Sequence, residues 1–136
     1  MTIRSETRGR ARALQLLYAW ELRDHPDIEM VADGFLTLGC ARQRQSGLRL
    51  AIRVIDQLER LDTDISDAIE GWRLERIGTV ELNILRLALS ELLSGEAPPR
   101  VVIDEAVKLA QWFAGPKGPS FVNGVLDALA RREGLL

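Results

Sequence analysis

The stretch VELNILRLALSELL, residues 80–93, decides the fold of this chain of 136 residues. Nine of its 14 residues are apolar, which is too many for the single stripe of a surface helix. Thr79 is a suitable N-cap before it, and Gly95 with Pro98 and Pro99 marks its end. The stretch therefore predicts a helix that is buried on most sides and forms the centre of the molecule.

Helical periodicity continues toward the carboxyl end, where two more amphipathic helices are predicted. The residues that the first is expected to bury are Val102, Ile103, Ala106, Val107, Ala110 and Phe113. The second follows the short loop 115–119 and ends at Gly134. Its predicted buried face consists of Val122, Val125, Leu126 and Leu129.

Four further helices are predicted toward the amino end. The first runs from about Ser5 to about Arg23, with an apolar stripe of Ala13, Leu14, Leu17, Tyr18 and Trp20. The second covers about 28–38, and the polar stretch 41–47 is interpreted as a link to the third. The third has an apolar face of Leu48, Ala51, Ile52, Ile55 and Leu58, and the fourth follows a cap region at 61–63 with Ile65, Ala68, Ile69 and Trp72.

Seven amphipathic helices with short connections predict an all-α bundle, which we expect to be one domain, residues 1–136, with a basic arm at about 1–12.

The single cysteine, Cys40, excludes an intramolecular disulfide and a cysteine metal cluster, and suggests a small buried hydrophobic residue in a cytoplasmic protein. The single histidine, His25, is interpreted as a helix-terminus residue. Without a glycine-rich phosphate loop or a metalloprotease motif, we expect no enzymatic activity, no cofactor and no metal. No segment has the length of a membrane span.

Charge is distributed unevenly along the chain, whose formal net charge is −2. Residues 1–12 hold Arg4, Arg8, Arg10 and Arg12 against one acid, Glu6, so this arm carries +3 and the remainder −5. On a helix, Arg8, Arg12 and Gln15 share one side and are suited to a phosphate backbone. The alternative is an ordinary solvated helix face, which these residues alone slightly favour over RNA binding.

Two weaker features are also present. Lys117, Phe121 and Asn123 surround the start of the last helix and offer a cation, an aromatic plane and an amide. For both Phe121 and Tyr18, core packing is the favoured interpretation of these residues alone. Arg86 lies in the apolar central helix and needs a carboxylate partner, for which Glu105 is the candidate in a structural ion pair.

Four segments resemble, in this order and spacing, the NusB family of bacterial transcription antitermination factors. They are RARALQLLYAWEL (10–22), ILRLALSEL (84–92), VVIDEAVKLAQWF (101–113) and FVNGVLD (121–127). The resemblance implies a fold of two small three-helix bundles at an angle plus an extra helix. It also implies a heterodimer with the ribosomal protein NusE that binds the boxA element of ribosomal RNA leaders and supports processive transcription of ribosomal RNA operons by RNA polymerase.

Carried over by position, the resemblance assigns RNA binding to residues of the first helix and to the loop 117–121. They are Arg8, Arg10, Arg12, Gln15, Tyr18, Lys117 and Phe121, and we add Asn123 as a further RNA-binding candidate from its place at the start of the last helix. Glu81 lies where the family contacts NusE. The alternative is a homodimeric interaction module whose RNA binding is lost or masked. An RNA methyltransferase with this fold as an appended domain would need a cofactor-binding domain, for which seven helices leave no residues.

Overall fold

The computed structural model describes residues 5–34, 40–69 and 73–136. These residues form seven α-helices and one 3-10 turn, Leu74–Arg76, with no strand among them. The helices are α1 (Ser5–Leu22), α2 (Ile28–Asp33), α3 (Ala41–Asp56), α4 (Leu58–Ala68), α5 (Thr79–Ser94), α6 (Pro99–Phe113) and α7 (Gly118–Arg132). Within the described ranges, every helix is too short or too polar to span a lipid bilayer. The all-α prediction is confirmed.

The chain divides into two compact units, an amino-terminal unit of residues 1–56 with α1–α3 and a carboxy-terminal unit of residues 57–136 with α4–α7. Three helices in one unit and four in the other correspond to the two small bundles plus an extra helix that the resemblance implies. Among the sequence predictions, Arg4, Trp72 and the 35–38 portion of the second helix lie outside the described residues.

Close packing of α1 against α3 organises the amino-terminal unit. A Cβ atom built on Gly47 would lie 2.8 Å from the Cβ of Arg12 and 3.0 Å from the backbone nitrogen of Ala13, so only glycine fits there without a shift. Gly47 and Gln43 are both buried in this closely packed part of α3. The interpretation of 41–47 as a polar link is therefore wrong, because these residues form the first two turns of α3 and are held there by packing.

The boundary between the third and fourth helices also differs from the prediction. The break is at Gln57, whose backbone has φ −114° and ψ 14°, and not at residues 61–63. Leu58 consequently belongs to α4, where Leu61 and Ile65 are fully buried. Apolar spacing was continuous across Gln57, so periodicity alone did not reveal the break.

The carboxy-terminal unit is centred on α5, as predicted. Every residue from Leu82 to Leu92 is buried, and Gly95 ends the helix in the left-handed region with φ 69°. The predicted buried face of α7 is confirmed. On α6 the prediction is wrong at Phe113, which is 41% exposed, while Leu109 is buried in the core. Phe113 lies in the last turn, where its ring meets Trp112 edge-on at 6.3 Å.

The end of α1 confirms the interpretation of His25 as a helix-terminus residue. Asp24 and His25 both have positive φ, 62° and 61°, which turns the chain out of the helix. The imidazole of His25 stacks on Trp20 at 3.7 Å, and its Nε2 lies 2.9 Å from Oε2 of Glu21. Cys40, in contrast, is exposed and not buried, and the backbone N–H of Gln43 lowers the pKa of its thiol.

Candidate nucleic-acid interface

One partly exposed side of α1 presents two arginines, an amide and an aromatic ring. Arg8 is exposed, and Arg12 and Gln15 are half-buried. Nη1 of Arg12 donates a hydrogen bond to Oε1 of Gln15 at 2.9 Å, which aligns the two side chains. Tyr18 is 40% exposed, so the expectation of core packing for it is wrong. We define these four residues as the α1 face.

Arg10 does not share the α1 face. It is only 8% exposed, and its neighbour Thr7 is 2% exposed. Two residues along a helix correspond to a rotation of roughly 200°, which directs Arg10 away from the side that carries Arg8 and Arg12. Arg10 is therefore less accessible to a ligand in solvent than Arg8, and its assignment to RNA binding stays a prediction.

A cavity of about 590 Å³ lies in the carboxy-terminal unit, between the 3-10 turn, the start of α5 and the start of α7. Three residues that the sequence singled out line it together, namely Glu81, Lys117 and Phe121. The remaining lining residues are Arg76, Ile77, Gly78, Gly115, Pro116 and Gly118. We call this space the Phe121 cavity. It combines two cations and one carboxylate with an apolar wall that includes an aromatic ring.

Local sequence explains the shape of the Phe121 cavity. Gly78 is the N-cap of α5, and a Cβ atom there would collide with the carboxylate of Glu81, which folds back over the helix start. Pro119 lies in the first turn of α7, where a missing N–H costs nothing. The backbone N–H of Phe121 donates to the carbonyl of Lys117 at 3.1 Å, which fixes the backbone at Phe121 one turn after Lys117.

Asn123 is exposed but does not line the Phe121 cavity. It follows Phe121 by two residues, a rotation of roughly 200° on a helix. The predicted group of Lys117, Phe121 and Asn123 is therefore divided, with two members at the cavity and one on another side of α7.

Arg86 is held by a carboxylate that the sequence analysis did not name. Its Nε donates to Oδ1 of Asp62 at 2.7 Å, and its Nη2 donates to Oδ2 of Asp62 at 2.8 Å. Nη1 donates to Oδ1 of Asn83 at 3.1 Å. This bidentate pair joins α5 to α4, and the 4% exposure of the arginine side chain identifies its role as structural. The pairing predicted for Arg86 with Glu105 stays a prediction. Because α4 was expected to begin after Asp62, no sequence signal placed this carboxylate opposite Arg86.

Comparison with known proteins identifies the family. The family model described as the NusB family matches residues 7–131. The chain belongs to the NusB family. The transcription antitermination protein NusB of Solibacter usitatus is 38% identical over 130 residues, which cover 93% of this chain and 89% of that protein.

Solved NusB structures have the same fold. The NusB structure from T. maritima superposes with a TM-score of 0.85 at 31% identity, over 96% of this chain and 93% of that chain. A chain of the crystal structure of the antitermination factors NusB and NusE in complex with double-stranded RNA superposes with a TM-score of 0.81 at 27% identity, over 96% of this chain and 99% of that chain. These likenesses confirm the NusB fold that the resemblance implied.

Proposed function

We propose that this NusB-family chain acts in transcription antitermination by binding boxA RNA of ribosomal RNA leaders together with NusE. Its curated relatives carry the name transcription antitermination protein, and a solved neighbour at 27% identity is described as a NusB–NusE complex with double-stranded RNA. The observation that carries the proposal for this chain is the α1 face, where the exposed Arg8 and the half-buried Arg12 share one side of the helix. The role requires no catalytic group and is that of a cytoplasmic binding protein.

In this proposal, Arg8 and Arg12 bind the phosphates of the RNA. A guanidinium presents a planar fork of donors that matches a phosphate and keeps its charge at any physiological pH. Gln15 holds Arg12 through a neutral amide oxygen, so the orientation of Arg12 is set without neutralising it. Each phosphate that the α1 face contacts releases counterions, and binding should therefore weaken steeply as salt is added.

Base recognition is the task of the aromatic groups. Tyr18 has a partly exposed ring next to the polar part of the α1 face, and Phe121 has a half-buried ring in its cavity. Unstacked bases of single-stranded RNA stack on such rings, and the paired bases of a duplex are not available in this way. We therefore expect a single-stranded boxA RNA to bind more tightly than the same sequence in a duplex.

Glu81 is proposed as the NusE contact. Its carboxylate covers the start of α5, where it also complements the positive end of the helix dipole. A partner residue that donates a hydrogen bond to this carboxylate would be fixed by α5, the most deeply buried helix of the unit. Replacement of Glu81 by alanine should weaken pairing with NusE in the absence of RNA.

The proposal is tested by titrating boxA RNA into the chain mixed with its NusE partner over a range of salt concentrations. The double variant Arg8→Ala, Arg12→Ala should bind both boxA and unrelated RNA more weakly, and its salt slope should fall by about 0.7 for each phosphate that the variant no longer neutralises. The matched control is Arg100→Ala, Arg132→Ala, which removes the same charge from two exposed positions of the carboxy-terminal unit.

An unchanged salt slope in the Arg8→Ala, Arg12→Ala variant would exclude the α1 face from RNA binding. Tight pairing with NusE and no binding of any RNA would favour the interaction module whose RNA function is lost. Light scattering of the unmodified chain across a concentration series shows whether a homodimer competes with the NusE complex.

A further inference from the structure

We infer that Arg73 and Arg76, with the hydroxyl of Ser66, form a phosphate site that holds the RNA backbone beside the Phe121 cavity. These residues line a second cavity of about 490 Å³, together with Leu74 and Glu75. Neither Arg73 nor Ser66 was singled out by the sequence. The inference rests on the proposed function, because the phosphate it assigns belongs to the RNA strand.

The two cavities are neighbours, since Arg76 lines both of them. The 3-10 turn Leu74–Arg76 forms the ridge between them, with Arg73 as its N-cap in an extended conformation. Arg73 thus lines the cavity on one side of the ridge, Phe121 lines the cavity on the other side, and Arg76 lines both. A nucleotide has the same two parts, a charged phosphate and a flat base, joined by a sugar.

The charges of the carboxy-terminal unit support this assignment. Of its nine lysines and arginines, four are held in ion pairs, at Arg60, Arg86, Lys108 and Arg131. Across the described part of the unit, the other five have no ion pair. Three of those five line the two cavities, namely Arg73, Arg76 and Lys117. The cations without internal partners are therefore concentrated where we place the RNA strand.

One carboxylate opposes this site. Glu75 lines the second cavity between the two arginines, and its charge reduces the attraction for an anion. Glu81 lies in the other cavity and folds over the start of α5. Both arginines are exposed, so they are hydrated before binding and can turn toward a phosphate without breaking an internal pair. Because Glu75 opposes the binding of an anion, removing its charge should raise the affinity for RNA, which provides a second test.

The test measures binding of boxA RNA by the full chain with NusE, at several salt concentrations, for Arg73→Ala and for Glu75→Gln. Arg73→Ala should weaken binding and lower the salt slope by about 0.7, the value for one phosphate of a single strand. Glu75→Gln should strengthen binding at low salt. Arg100→Ala is the matched control and should leave the slope unchanged.

Combining a substitution in the protein with a change at one RNA phosphate identifies which phosphate Arg73 contacts. Methylphosphonate groups, which lack the phosphate charge, replace the boxA phosphates one at a time. At one position of boxA, the methylphosphonate should weaken binding of the RNA to the unmodified chain. The same methylphosphonate should not weaken binding to the Arg73→Ala variant any further, because that variant has already lost the contact. Arg76→Gln repeats the comparison with a side chain of similar size, and thermal unfolding of each variant checks that the fold is retained.

The outcomes separate this inference from the proposed function. If boxA RNA binds normally to Arg73→Ala with the slope of the control, the phosphate site is wrong and the proposed function stands. If the unmodified chain with NusE binds no RNA, both are wrong. If Arg73→Ala weakens pairing with NusE in the absence of RNA, the site is a protein contact, which also overturns the inference.

Discussion

The surroundings of Arg86 and the α1 face each use an arginine that is bonded to a neighbouring side chain. In the first, the guanidinium is 4% exposed and both oxygens of Asp62 accept from it. In the second, Arg12 is half-buried and donates to the neutral oxygen of Gln15. A carboxylate cancels the charge and turns the arginine into a link between helices. An amide orients the arginine and leaves its charge for a ligand.

The largest effect on stability is expected when the Arg86 side of this comparison is removed. Arg86→Ala leaves the partly buried Asp62 carboxylate without its bidentate partner and opens space in the core of the unit, so the free energy of unfolding should fall by about 3 kcal/mol. Urea denaturation measures this decrease. The control is Arg60→Ala, whose exposed guanidinium lies 3.7 Å from the carboxylate of Asp64, and it should change stability by less than about 0.5 kcal/mol. Equal decreases in the two variants would contradict a structural role for the Arg86 pair.

An intermediate effect is expected at the helix packing that supports the α1 face. Gly47→Ala forces a methyl group against the Cβ of Arg12 and the backbone of Ala13, and overpacking of this kind costs about 1–3 kcal/mol of unfolding free energy. Gly124 of α7 has open space around it, so Gly124→Ala should stabilise the chain by about 0.5–1 kcal/mol through helix propensity. Thermal unfolding of both variants shows whether their shifts have opposite signs. Two stabilised variants would mean that α1 and α3 separate easily.

The smallest change in stability comes from giving Arg12 the kind of partner that Arg86 has. Gln15→Glu places a carboxylate three residues after Arg12, and such a pair on a helix contributes only about 0.2–0.5 kcal/mol. RNA binding should nevertheless weaken, because the new carboxylate competes with phosphate for the guanidinium. Titration of boxA RNA at low and high salt checks this, with Gln15→Ala as the uncharged control. Undiminished affinity of Gln15→Glu would show that Arg12 does not contact phosphate.

The sequence predicted the buried residues of α5 and α7 better than those of α3, where only Ala51 of the predicted apolar face is buried, and better than the ends of the helices. α5 and α7 have continuous or regularly spaced apolar residues, and burial in the structure follows that spacing closely. The break at Gln57 and the helical state of 41–47 were not predicted, because polar residues such as those of 41–47 become helical when a neighbouring helix packs against them. The α1 face was recognised from spacing, since three of its residues recur along one side of a helix. The second cavity was not recognised, because Arg73 and Ser66 lie in different elements and no helical spacing relates them.

By itself, the amino-acid sequence determined the all-α class, the buried central helix and the family, since all three depend on the order of residue types along the chain. Only the tertiary structure decided that Asp62 holds Arg86, that Arg10 is buried, and that Glu81, Lys117 and Phe121 line one cavity. Periodicity reports which side of a helix a residue occupies. Which neighbour faces that side depends on how helices far apart in the sequence pack together, and this packing decides whether a charge becomes part of the core or remains available to RNA.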